Sequence, residues 1–193
     1  MNLTSVLITH VRIYAERQVI NEGYIVLRNG MIHEVGRMVD FKEKETYDRV
    51  FSFSNDHALI PGMIDLHIHG AAGADAMDAT SEALRIIAEH LPGEGTTAFL
   101  ATTMTQEAEA IERALSNVAA YRKQANGPGM AEVLGVHLEG PFLSPKRAGA
   151  QPADKMLHPD IDLFEKWQGI ADGAIRLVTV APERPGGMEF VSH

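Results

Sequence analysis

From Ala58 onward the chain alternates strand-like apolar runs with helix-like stripes, and this alternation restricts the fold more than any other feature of the sequence. Leu59 to His67 reads as a first strand. A helix then starts at the capping pair Thr80-Ser81, carries Leu84, Ile87 and Leu91 at helical spacing, and stops at Pro92-Gly93. A second strand, Thr97 to Thr102, leads to a helix that Thr105 is placed to cap and whose stripe is Ile111, Leu115 and Val118. Ala125-Asn126-Gly127-Pro128-Gly129 ends that helix, and Val133 to Leu138 forms a third strand. After a polar loop come a short helix around Leu163, Phe164 and Trp167 and a fourth strand, Ile175 to Val180. Strands joined through helices lie parallel in one sheet. Four such units are half of a (β/α)8 barrel, which takes about 250 residues when complete.

The first 57 residues follow a different rule. Val6, Ile8, Val11 and Ile13 mark a strand, and Tyr24 to Leu27 and Met31 to Val35 flank Asn29-Gly30, a dipeptide suited to the positive φ of a tight hairpin turn. The expected class is therefore α/β, with a small β-sandwich-like module over residues 1–57 and the first half of a barrel over residues 58–193. Hydrophobic residues make up 45% of the 193 and charged ones 22%, a globular balance. The formal net charge of −9 comes with no basic tract, which argues against a nucleic-acid partner. The absence of cysteine excludes disulfides and thiolate zinc sites. The N-terminus has neither a basic leader nor a long apolar core, and no run approaches a membrane span, so neither a signal peptide nor a membrane partner is expected.

Two motifs carry chemistry. In Pro61-Gly62-Met63-Ile64-Asp65-Leu66-His67-Ile68-His69-Gly70 the histidines are separated by one residue at the end of an apolar strand, so both imidazoles fall on one face and can reach one ion. At the C-terminal end of a barrel strand they lie where barrel active sites are built. Imidazole ligates zinc and similar borderline ions; the plainer alternative is a pair satisfied by loop hydrogen bonds. The second motif, His137-Leu138-Glu139-Gly140-Pro141-Phe142, puts a carboxylate at the end of the third strand, where Glu139 completes a ligand set with His67 and His69 and could bridge two ions. His137 either orients a ligand or is simply packed. Glu183, beside Pro182 at the end of the fourth strand, reads as structural, and Lys146 and Arg147 read as solvated loop charges.

Together PGMIDLHIHG, GTTAFLATTMT, GVHLEGPFLSPKRAGAQP and LVTVAPE resemble the N-acetylglucosamine-6-phosphate deacetylases of the amidohydrolase superfamily, over the whole chain. The resemblance implies a partial (β/α)8 metal-dependent hydrolase barrel, strands one to four, behind a small β module. It implies a cytoplasmic enzyme of amino-sugar catabolism that hydrolyses the N-acetyl group of N-acetylglucosamine 6-phosphate to glucosamine 6-phosphate and acetate. It implies one or two divalent ions, zinc or iron, on His67, His69 and Glu139, substrate contacts from Ala150 and Gln151, a small-molecule phosphosugar as partner and a homo-oligomer, a dimer in the full-length family. The fourth strand has no lysine to carbamylate, and Glu139 in the bridging role fits the deacetylases better than dihydroorotase- or hydantoinase-like enzymes. The family's general-base aspartate and two further histidines are expected beyond residue 193, so no catalytic residue is expected in this chain and the chain alone is expected to be inactive. The alternatives are another amidohydrolase acting on an amide or cyclic amide, and a non-catalytic truncated chain that binds metal.

Overall fold

The computed structural model describes residues 5–43, 46–54, 56–124 and 127–193. The chain divides into two compact units, Met1–Pro61 and Gly62–His193. In the first, β1 (Ser5–Tyr14) pairs antiparallel with β2 (Val19–Arg28), which pairs antiparallel with β3 (Met31–Arg37). The β2–β3 turn is the expected one, with Asn29 at φ 53 and Gly30 at φ 77. The other edge of β1 takes β4 (Arg49–Ser52) and β5 (Ala58–Leu59), both parallel to it. Side chains alternate across this sheet, and the register shifts between Thr9 and Val11 and between Val11 and Ile13 switch their parity, so Val11, Ile13, Ile20 and Ile25 form one small core and Leu7, Tyr24 and Val26 another.

The apolar run expected as one strand from Leu59 to His67 is divided. Ala58–Leu59 belongs to the first unit's sheet, and the second unit's first strand is β6 (Met63–Ile68). Pro61 lies between them, and a residue without an N–H interrupts a ladder. A small hairpin follows, β7 (Gly70–Ala71) and β8 (Ala74–Asp75), whose turn residues Ala72 and Gly73 both have positive φ. Helix α1 (Ser81–His90) starts on its expected cap, the Thr80 hydroxyl accepting from the Ala83 N–H. Then come β9 (Thr96–Thr102), α2 (Ala108–Lys123), β10 (Glu132–Glu139), α3 (Ile161–Ile170), β11 (Ile175–Thr179) and α4 (Gly187–Ser192). The α2 cap is Glu107 rather than Thr105, and no side-chain oxygen accepts there. The segment expected to end α2 includes Ala125 and Asn126, which lie outside the described residues.

The second unit's sheet runs β11-β10-β9-β6, all parallel, and fits half of a barrel. One face is covered by the helices. Ile111, Leu115 and Val118 of α2 pack there with Leu84 and Ile87 of α1 and Trp167 of α3 against Phe99, Ala101, Val136 and Leu138 of the strands. Burying each large aliphatic side chain contributes roughly 1.5–3 kcal/mol, which fixes which face of β9 and β10 meets the helices. Their alternate residues, Thr102, His137 and Glu139, are thereby committed to the opposite face. Among the described residues no helix is long and apolar enough to cross a membrane.

Candidate metal centre

Glu139 closes β10, and His67 and His69 lie at the end of β6; the sheet order places β9 between those strands. The His67 Nε2 is 3.1 Å from Glu139 Oε2, and the His69 Nε2 is 3.0 Å from the same oxygen. One atom from each residue falls within 4.8 Å of the other two, so the three can hold a metal ion. The opening is graded: the His67 side chain is 53% exposed, His69 31% and Glu139 18%, which leaves one side accessible to solvent.

The donor set fits a cation. Glu139 Oε2 is buried, and neither imidazole aims an N–H at it in hydrogen-bonding geometry. Two imidazole nitrogens and a carboxylate oxygen converging on one point are a donor set that a divalent cation would satisfy. Separations of this size suit ligands that share one ion at ~2.0–2.2 Å.

His137 lies under this group. It is 2% exposed, its Nε2 is 2.7 Å from Thr179 Oγ1, and its ring stands edge-on to that of His67 with centroids 4.8 Å apart. The His67 and His69 rings are also edge-on, with centroids 5.3 Å apart. Burial, and then the neighbouring His67, push the His137 imidazole below its ordinary pKa and keep it neutral. A neutral buried ring bonded on β11 and packed on His67 restricts the latter's rotamers.

The other residues singled out by sequence lie on the long loop after β10. Ala150 is exposed and Gln151 half-buried. The Gln151 Oε1 accepts from the Thr105 backbone N–H at 2.8 Å, which leaves its amide N–H groups to donate elsewhere. Lys155 reinforces that junction through Gln106 Oε1 at 2.6 Å. Lys146 and Arg147 are exposed, as expected of loop charges. Sequence reasoning weighed Glu183 and passed over its neighbour. The Arg184 Nη1 donates to the carbonyls of Leu143 (2.6 Å) and Leu157 (2.8 Å), tying together the two ends of the loop that carries Gln151. Asp65, part of the strand motif but given no role by it, has an Oδ1 that accepts from the His67 backbone N–H at 2.9 Å. Its signal was present, an aspartate two residues before a histidine at a strand end.

Residues 58–190 match the model of the amidohydrolase family. A curated N-acetylglucosamine-6-phosphate deacetylase of Bacillus subtilis (strain 168) is 46% identical over 190 residues, 98% of this chain and 47% of the relative. An N-acetylgalactosamine-6-phosphate deacetylase of Escherichia coli O157:H7 is 37% identical over 135 residues, 70% of this chain and 35% of the relative. Among solved structures, a mutant N-acetyl-D-glucosamine-6-phosphate deacetylase from Mycobacterium smegmatis in complex with N-acetyl-D-glucosamine-6-phosphate superposes with a TM-score of 0.82 at 25% identity, covering 98% of this chain and 46% of that one. The chain spans about half the length of the curated relatives it matches, or less.

Proposed function

Since the chain belongs to the amidohydrolase family, we propose that it supplies the N-terminal half of a metal-dependent deacetylase that releases acetate from N-acetylglucosamine 6-phosphate. In this reading residues 1–57 are the N-terminal part of a small β-sandwich-like module and residues 58–193 the first half of a TIM-type barrel. The observation that carries it is the convergence of His67, His69 and Glu139 on one point, in a chain 46% identical to a deacetylase of that name. These three side chains would hold one or two divalent ions, zinc or iron. A divalent ion held there lowers the pKa of water and polarises an amide carbonyl.

The chain's own residues do the rest of its share. Glu139 would contribute the negative charge that offsets the cation, and His137 is held neutral beneath it with its Nε2 engaged by Thr179 Oγ1, so it adds no positive charge. Ala150 and Gln151 would meet the substrate, with Gln151 held by Thr105 so that its amide can donate to a sugar or acetyl oxygen. The proton transfers require a general base that these residues do not supply, which is why the 193 residues alone are expected to bind metal without turnover. We place the enzyme in the cytoplasm as a homo-oligomer.

Amine release from N-acetylglucosamine 6-phosphate tests the reading. A longer product of the same gene, supplied with zinc, should turn the substrate over and lose activity to a chelator. No activity under those conditions would remove the assignment. The similarity to an N-acetylgalactosamine-6-phosphate deacetylase favours one second reading, the epimeric sugar. Comparing kcat/KM on the two sugars separates them.

A further inference from the structure

We propose that Asp65 is a positioning residue for the metal centre: by accepting the His67 N–H it holds a bulge in β6 that turns both imidazoles toward Glu139. This rests on the metal reading of the three ligands.

The observation is one of register. Along β6 and β9, Asp65 pairs with Phe99 and Ile68 with Ala101, so three residues of β6 advance against two of β9. One residue is therefore extra, and an extra residue reverses the side-chain parity of everything after it. Phe99 and Ala101 both point into the helix-covered core. Were β6 regular, His67 would sit opposite Ala101 and follow it into that core, and His69 would do the same one pair later. With the bulge, Ile68 takes the place opposite Ala101 and packs against the core. His67 and His69 are released to the opposite face, the face of His137 and Glu139.

A bulge leaves backbone groups outside the ladder, and β6 is at the edge of its sheet, with β9 as its one ladder partner among the described residues. Among the described residues no backbone acceptor pairs with the His67 N–H. Asp65 supplies one from its own side chain, at 2.9 Å, in the local pattern that aspartates favour two residues before a free N–H. Its function is thus that of an acceptor at a fixed reach, and its negative charge is secondary.

That distinction makes the proposal testable by metal affinity. D65N removes the charge and keeps an acceptor oxygen at the same reach. D65E keeps the charge and moves the acceptor by one methylene, and D65A removes both. Zinc affinity by chelator competition, in the protein as its gene produces it, should be near wild type for D65N. For D65E and D65A it should be about 10- to 100-fold weaker, the range for residues that orient ligands. The metal-free Tm of each variant is measured alongside and should fall, for D65E and D65A, by no more than the loss of one hydrogen bond accounts for. The proposal is overturned if D65E binds as tightly as wild type, if D65N is as weak as D65E, or if affinity falls only in step with the metal-free Tm. Failure of the unmutated protein to bind zinc would instead overturn the metal reading itself, and this inference with it.

Discussion

Glu139 ends β10 with a buried carboxylate oxygen that no described hydrogen-bond donor reaches, beside two imidazole nitrogens at 3.0 and 3.1 Å. A buried carboxylate oxygen facing two imidazole nitrogens is an acceptor that a cation would satisfy. E139Q should expose this. An amide N–H can donate to an imidazole lone pair, so the metal-free protein should gain about 1 kcal/mol in denaturant unfolding. Its zinc affinity should meanwhile fall by more than the ~10–100-fold typical of outer-shell changes. A loss of both stability and affinity would show that Glu139 is satisfied without a cation. The next residue tests the loop junction. Gly140 has φ 77, and a Cβ there would run into Thr105 Oγ1, so G140A should destabilise by about 1–3 kcal/mol, read as a shift in the unfolding midpoint. The convergence of His67, His69 and Glu139 was legible in the sequence because strand parity and motif spacing are local properties. The register slip that makes the parity work was not, because it depends on how β6 pairs with β9.

Helices α2 and α3 meet at one polar contact, where Glu112 Oε1 accepts from Lys166 Nζ at 2.6 Å and from Trp167 Nε1 at 3.1 Å. The Lys166 hydrogen bond, helped by Trp167, holds the Glu112 carboxyl below the ordinary carboxylate range. A lowered folded-state pKa means the unfolded chain takes up protons first. The contact therefore contributes its full stability above the ordinary carboxylate pKa and loses it as pH falls through the depressed value. Unfolding measured across the acid range should be less steeply pH-dependent in E112Q than in the unmutated chain. On the loop after β10, removing the Arg184 guanidinium leaves the Leu143 and Leu157 carbonyls without that donor. R184M should accordingly be cut faster by trypsin after the exposed Lys146 and Arg147; an unchanged cleavage rate would show that the loop holds without Arg184. Helical stripes and buried strands were readable here because their periods are set by the core they face. Thr105 misled as a cap because α2 starts two residues further on, behind Glu107, and the Thr105 side chain is buried against Gly140 instead. The β7–β8 hairpin and α4 went unseen because they are short, and the Ala72-Gly73 turn lacks the usual Asn or Asp.

At the scale of the molecule, four parallel strands leave β6 and β11 each with one ladder partner among the described residues. Ile64 and Leu66 of β6 are 57% and 54% exposed, and Leu177 of β11 is 39% exposed. Open edges with apolar side chains invite pairing with another chain. The 193 residues produced alone should therefore run as oligomers or aggregates in size exclusion, and a stable monomer would show that the edges are protected in some other way. The half-barrel was readable from the alternation of elements, whereas the dividing of the Leu59–His67 run between two sheets required knowing what β1 pairs with. All of this architecture serves to bring three side chains to one point, and anomalous diffraction at the zinc edge tests that directly. Crystals grown with zinc should show a peak bounded by His67 Nε2, His69 Nε2 and Glu139 Oε2 at ~2.0–2.2 Å. A zinc ion bound elsewhere, with these three atoms left as they are, would contradict the account.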